Sequence, residues 1–239
     1  MRFDQLSFAD QYARRLSAEG YPGALLDEVA SELSGSRSVI DVGAGSGFFA
    51  LPLACRGFEV RAVEPSRAML SILRRKMGGV DPAGIRLYRT VWERWRGDFA
   101  DALICVHSLY PMRDHRAALL KMLRSAGRRI VLVRAASGTR NVSDILRREL
   151  GKQREAVDFS ALVADFLRDN GIPYGSREIE QRRSFAFDDP GDEARYYCAR
   201  LGLDETMLPE VTRILLQNSE TREGGYLSRG VYRDTLFTF

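Results

Sequence analysis

The chain has 239 residues, 45% of them hydrophobic and 28% charged, which is the composition of one globular domain with elaborations and excludes wholesale disorder. Its longest uncharged run, Val42 to Cys55, is 14 residues and contains three Gly and a Pro, too short and too broken for a bilayer helix of about 20 apolar residues. The net charge of +4 comes from three Lys and 33 Arg against 32 acids, with the Arg scattered in pairs such as Arg14–Arg15, Arg74–Arg75 and Arg147–Arg148; this reads as solvated helix faces, so neither a membrane nor a nucleic acid is an expected partner.

Apolar spacing predicts helices up to about Leu33, through Tyr12 and Leu16 and then Leu25, Val29 and Leu33, with a break at Gly20 to Gly23. A short apolar run, Ser38 to Val42, follows as the first strand and leads into a glycine cluster. Phe48 to Arg56 reads as a helix and Phe58 to Val63 as a second strand. Ser66 is placed to cap a helix carrying Met69, Leu70, Leu73 and Met77. Ile85 to Thr90 and Asp101 to Val106 give two more strands, Ala117 to Leu123 a helix, and Arg129 to Val133 a fifth strand. Short apolar strands alternating with helices call for an α/β fold, a doubly wound and mostly parallel sheet covered on both faces. Ligands then belong at the carboxyl ends of the strands.

Beyond Ser137 the pattern changes. Helices are expected at Val142–Leu150 and Ser160–Asn170, the latter stopped by Gly171 and Pro173. Arg177–Phe187 and Tyr226–Phe239 read as strands, with helical segments at Asp192–Leu201 and Glu205–Gln217 between them. The expected organisation is an N-terminal helical lid over 1–36, a ligand-binding core over 37–136, and a C-terminal part of the same domain over 137–239 with helical insertions and a late β-hairpin. The end of that hairpin, Thr235 to Phe239, is a candidate edge for pairing with a second copy, so monomer and homodimer both stay open.

The chemical signal lies at the first strand–helix turn, Asp41-Val42-Gly43-Ala44-Gly45-Ser46-Gly47. Closely spaced glycines let the backbone approach a ligand, and the helix that follows offers unpaired N–H groups. Glu64 ends the second strand, 17 residues after Gly47, where an acid can accept from both ribose hydroxyls. A dinucleotide fingerprint beginning at Gly43 would need glycine at position 48, which is Phe48. Asp41 also suits a cationic ligand and not a pyrophosphate. A nicotinamide dehydrogenase is therefore a distant reading, and a sulfonium bearing an amino group fits better.

Over Ser38 to Arg134 these residues resemble the class I S-adenosylmethionine-dependent methyltransferases, with seven-stranded Rossmann-like sheets. Asp41 to Gly47 is similar to their first motif, Phe58 to Leu70 to their second, and Ala100 to Ser108 to their fourth strand, where substrate and methyl group meet. The resemblance implies S-adenosyl-L-methionine as cofactor, with S-adenosyl-L-homocysteine as product. It places Gly43, Ala44, Gly45 and Gly47 around the methionine part and Asp41 near its amino group. Glu64 would hold the ribose, next to Pro65, and Met69 would pack on adenine. Val91 stands where the third motif usually has an acid, so the adenine contacts pass to Trp92, as backbone donor or ring neighbour, and to Glu93 as acceptor; packing of the indoles is the competing reading for Trp92. Val106 closes the strand-four side. Tyr12, on the lid, is a candidate for the cofactor carboxylate.

His107 lies just past the fourth strand and is the candidate general base; Tyr110 and Arg113 are candidates for the substrate side. Methyl transfer from a sulfonium can also run on orientation alone. Ser108 to Pro111 lacks the signature of amino-group methyltransferases acting on adenine or glutamine. Cys105 lies inside a strand, without the setting of a cysteine nucleophile. Three dispersed cysteines and two histidines offer neither a disulfide framework nor a metal site. With two acids near its start and no continuous apolar stretch there, the chain shows no secretory signal, and a cytoplasmic address is expected. The reading is a methyltransferase acting on a small molecule by in-line displacement. An RNA or protein methyltransferase and a non-catalytic cofactor-binding regulatory or scaffold protein stand as alternatives.

Overall fold

The computed structural model describes residues 4–78, 84–152 and 157–239. At its centre lies β1 (Ser38–Val42), paired in parallel with β2 (Glu59–Val63) on one side and β4 (Ala100–Val106) on the other. Outward from these run β3 (Ile85–Tyr88) beside β2 and β5 (Ala126–Arg134) beside β4, again parallel. The sheet continues through β8 (Gly225–Thr238), antiparallel to β5, to β6 (Gly175–Phe187), giving the order β3-β2-β1-β4-β5-β8-β6. An eighth strand, β7 (Ser219–Arg222), lies off this path and forms a hairpin with β8. The reversal of order beside β1 is the switch point at which an open α/β sheet leaves a crevice at its carboxyl ends.

Strict alternation builds the two layers. Val39, Ala102, Ile104, Ile130 and Leu132 point to one face, where they meet Leu25, Val29 and Leu33 of the N-terminal region and Leu53, Leu70 and Leu73. Ile40, Leu103, Cys105, Val131 and Val133 point to the other, against Leu119, Met122, Val163 and Phe166. A strand buried on both sides has no room for polar alternation, which is why these segments read as continuous apolar runs. The helices over the first face are α2 (Ala24–Glu32), α3 (Ala50–Cys55) and α4 (Arg67–Lys76); those over the second are α5 (His115–Ser125) and α7 (Phe159–Asp169). Ser66 caps α4 by accepting from the Met69 N–H at 3.1 Å, as the sequence suggests. The first helix, α1 (Leu6–Ala18), sets Ala9 and Ala13 against Ala68, Met69 and Ile72 of α4.

The chain divides into two compact units. One comprises Met1–Arg134, Phe159–Ile179 and Asp234–Phe239, and the other Ala135–Asp158 and Glu180–Arg233. The second unit has its own apolar centre, in which Val142, Ile145 and Leu146 of α6 (Val142–Glu149) meet Tyr197 and Cys198 of α8 (Pro190–Leu201) and Val211, Ile214 and Leu215 of α9 (Leu208–Gln217). Asn141 and Asp189 cap α6 and α8, and Gly202 ends α8 in the left-handed conformation.

Three expectations change. Strand three stops at Tyr88 and not at Thr90, because the Thr90 N–H turns back onto the Tyr88 carbonyl ahead of a 3-10 turn at Trp92–Arg94. The segment 205–217 is not one α-helix: α9 begins at Leu208 with Pro209, which lacks an N–H, in its first turn, and Glu205–Met207 before it is a 3-10 turn. The stretch Thr235 to Phe239 is no edge, since β8 is an inner strand of the sheet with β5 and β6 as neighbours. The free edges of the strand order are β3 and β6.

Candidate active site

The glycine loop leaves β1 with its backbone sewn to β2: the N–H groups of Gly43 and Ala44 both donate to the Val63 carbonyl, at 2.8 and 3.2 Å. Gly43, Gly45 and Gly47 all have positive φ. Gly43 shows why a side chain is excluded. A Cβ there would stand well inside 3.0 Å of the Ser108 side chain, a separation real Cβ atoms do not show. Ser108 follows β4 and donates its hydroxyl to the Val42 carbonyl. The glycine loop and the β4 loop therefore pack against one another at the carboxyl edge.

Two carboxylates flank this loop. Asp41 is 3% exposed and accepts from the Ala50 backbone N–H at the start of α3. Its Oδ2 has no hydrogen-bond partner among the described residues. Burial, with the Glu64 charge adding to it, pushes the Asp41 carboxyl up to about 7. Glu64, also buried, accepts from the N–H of Gly45 through Oε2 at 2.9 Å and from Ser66 through Oε1 at 2.8 Å. Burial raises its pKa as well; those two N–H groups pull the other way and Asp4 adds a smaller upward push. Burying two acids beside one loop, with the charge of Glu64 acting on Asp41, is electrostatically unfavourable. A ligand carrying positive charge and hydroxyl or amino donors relieves it.

The β4 side carries His107. Its backbone takes the left-handed conformation (φ +53°) and its N–H donates to the Leu132 carbonyl at 2.9 Å. One ring nitrogen, Nδ1, is 3.0 Å from the Tyr110 hydroxyl, and Nε2 is 3.4 Å from Oδ2 of Asp234. Tyr110 in turn accepts from the Arg134 N–H at 2.7 Å. Asp234 is completely buried and did not stand among the sequence candidates. The signal was there: in β8 it shares the inward register with Leu236, where an acid is out of place. His107 thus has protein groups at both ring nitrogens, not an open cleft at one of them.

The other predicted residues distribute as follows. Met69 and half-buried Tyr12 meet in one apolar cluster between α1 and α4. Ala44 is buried, Val106 is half-buried, and Pro65, Glu93 and Arg113 are exposed. The Trp92 indole is taken up by packing: it is 3% exposed, donates to the Ala118 carbonyl at 3.2 Å, and stacks on Trp95 at a centroid distance of 5.5 Å. This satisfies its one N–H inside the core. Lys121 lies over the Trp92 ring and donates to the carbonyls of Trp92 and Trp95, an anchor for this turn that sequence spacing did not reveal. Cys105 is buried, and burial pushes its thiol up to about 12, so it is inert. Among the described residues no group of three or more His, Cys, Asp or Glu is placed to hold a metal, and no helix is long and apolar enough to cross a membrane.

Residues 39–128 match a protein-family model described as a methyltransferase domain. A search of curated proteins gave no match. Among solved structures, the YcgJ protein from Bacillus subtilis superposes with a TM-score of 0.61 at 15% identity, covering 89% of this chain and 96% of that one. Magnesium protoporphyrin IX methyltransferase from Synechocystis PCC 6803, solved with bound SAH, gives a TM-score of 0.51 at 16% identity over 88% of this chain and 81% of the other. An O-methyltransferase family protein from Burkholderia thailandensis gives 0.53 at 17% identity over 65% and 52%. At these identities the likeness is one of fold. Residues 39–128 are thus similar to a methyltransferase domain, and the chain shares the fold of these structures.

Proposed function

We propose that the protein is an S-adenosylmethionine-dependent methyltransferase acting on a small-molecule acceptor by direct in-line displacement. The observation that carries this reading is the pair of buried carboxylates flanking the glycine loop, one of them with an oxygen that has no hydrogen-bond partner among the described residues. S-adenosylmethionine supplies what they lack: a permanent positive charge, an ammonium group and two ribose hydroxyls. Asp41 would face the ammonium. Glu64 keeps lone pairs beyond the two that its backbone donors occupy, and these would accept from the ribose. Gly43, Ala44, Gly45 and Gly47 would line the methionine part, with Tyr12 toward its carboxylate. Pro65, Met69, Val106, Glu93 and the Trp92 backbone would surround the nucleoside.

When bound, the cofactor supplies an electrophilic methyl group on sulfonium. The protein's share is to orient that group, exclude water and give the acceptor's proton a destination. His107, Tyr110 and Arg113, next to the glycine loop through Ser108, would form the acceptor side. Many of the arginines are engaged by acids on their own helix, as in Arg14–Asp10, Arg168–Asp165 and Arg213–Glu210. This supports a small-molecule acceptor over an RNA one.

The test is transfer of labelled methyl from S-adenosylmethionine into a cell extract split into low-mass, RNA and protein fractions. Label in the low-mass fraction is expected. Label in RNA or protein moves the reading to a macromolecular acceptor. Tight binding with no label anywhere makes the protein a cofactor-binding regulator.

A further inference from the structure

Asp234 poses a problem that the fold does not need to have. It stands opposite Arg134 in the β5–β8 register, on an inward position, with no exposure. A carboxylate taken out of water is costly unless it is compensated. Arg134 and His107 help compensate it: Arg134 Nε lies 3.5 Å from Oδ1 and His107 Nε2 lies 3.4 Å from Oδ2. His107 is held there on a left-handed backbone that non-glycine residues avoid. Tyr110 completes the arrangement, bonded to Nδ1 of His107 and to the Arg134 N–H.

The ion-pair contact at Nε2 and the hydrogen bond at Nδ1 together assign the protons. A neutral imidazole is a donor at one nitrogen and an acceptor at the other. A carboxylate facing Nε2 places the proton on Nε2, so Nδ1 accepts and the Tyr110 hydroxyl donates to it. The Tyr110 oxygen also accepts from the Arg134 N–H, which leaves it one lone pair. We propose that Asp234, His107 and Tyr110 form a proton-accepting chain on the acceptor side, entered at the Tyr110 oxygen and ended at His107, with Asp234 as the positioning residue. The inference rests on the methyltransferase reading above and specifies its acceptor as a hydroxyl compound.

The step balances. The acceptor oxygen forms its bond to carbon as the carbon–sulfur bond of the sulfonium donor breaks, and the sulfur keeps that electron pair. The acceptor's proton passes to the Tyr110 oxygen while the proton of Tyr110 passes to Nδ1 of His107. The positive charge lost at sulfur reappears on an imidazolium facing Asp234. Burial raises the proton affinity of the Tyr110 phenol, so Tyr110 relays a proton and does not hold the charge. Among the described residues Tyr110, on its own loop, and Asp234, on β8, face the imidazole, and Arg134 on β5 and Cys105 on β4 act on Tyr110.

The chain has two histidines, so imidazole-labelled NMR of the intact protein, assigned with His115→Asn, reads His107 directly. The expected wild-type result is the Nε2–H tautomer. Asp234→Asn is expected to lower the His107 titration midpoint by about one to three pH units, as loss of an opposite charge within 4–6 Å does, and to leave His115 in place. Tyr110→Phe removes the donor to Nδ1 and shifts His107 toward a mixture of tautomers. A wild-type His107 carrying its proton on Nδ1, or a midpoint unmoved in folded Asp234→Asn, overturns the proposal. The wild-type tautomer decides even if Asp234→Asn does not fold. S-adenosylhomocysteine titrated into the same sample separates the two readings: if it fails to bind while His107 behaves as expected, the methyltransferase reading falls and the proton chain stands as a property of the fold.

Discussion

Replacing Asp41 by Asn should make the ligand-free protein more stable at neutral pH while damaging its binding site. Asp41 ionises near 3.8 in an unfolded chain and near 7 when buried beside Glu64. Between those values the folded state holds a proton that the unfolded state has released, so stability falls as pH rises through that window. Below about pH 4 the group contributes no penalty; above about pH 7 the penalty is complete. A gap of about three pH units corresponds to about 4 kcal/mol. Asn keeps the shape and can still accept from the Ala50 N–H, but it brings an amide donor whose lack of a partner costs about 1–2 kcal/mol. The net expectation at pH 8 is a gain of about 2–3 kcal/mol, or about 5–10 °C in the melting midpoint for a chain of this size. The assay is thermal denaturation of wild type and Asp41→Asn from pH 4.5 to 8.5, with the difference between the two curves as the readout. It should be small or unfavourable to the variant at the acid end and grow in the variant's favour toward pH 8. A difference that stays flat with pH, or a variant less stable than wild type at pH 8, refutes the argument that the site stores an uncompensated charge.

Other outcomes follow from the same geometry. Gly43→Ala, forced into positive φ and into the Ser108 side chain, should cost about 2–4 kcal/mol in urea unfolding, and Ser108→Gly should recover the steric part of that loss in the double variant. Lys121→Met keeps the aliphatic stem but removes the ammonium from the Trp92 and Trp95 carbonyls, for an expected loss of about 1–3 kcal/mol measured by denaturant titration. Glu64→Gln keeps one acceptor oxygen, turns the other into an amide donor and loses the charge, and calorimetry should show about 10-fold weaker binding of S-adenosylmethionine. RNA binding, measured by filter retention across a salt series, should be weak and without the steep salt dependence of a multi-phosphate contact.

The residues that announced the fold are those whose spacing is set by the backbone itself. Ser38–Val42 and Arg129–Val133 are buried on both sides and so read as uninterrupted apolar strands, and Ser66 announces the helix that it caps. Positive φ at Gly43, Gly45 and Gly47 is a local demand, legible from the loop alone. What sequence did not disclose depends on contacts across the chain. Asp234 matters only because β8 inserts beside β5 and brings it to His107. The same insertion turns Thr235–Phe239 from an expected edge into an inner strand. From its place after strand three Trp92 reads either as an adenine neighbour or as a packed indole, and α5 supplies an acceptor at Ala118 and a cation at Lys121 that hold the indole in the core. Ser108 reads as an ordinary loop residue, and only the fold packs it against Gly43, where a side chain on that glycine would collide with it.

The central claim is that the two buried carboxylates and the glycine loop form an S-adenosylmethionine site. Calorimetric titration of the purified protein with S-adenosylmethionine and S-adenosylhomocysteine, with NADH and Glu64→Ala as controls, tests it most directly. The account predicts micromolar binding of both sulfur ligands, weakened by Glu64→Ala, and none of NADH. Absence of binding by either sulfur ligand, or binding of NADH in their place, would contradict it.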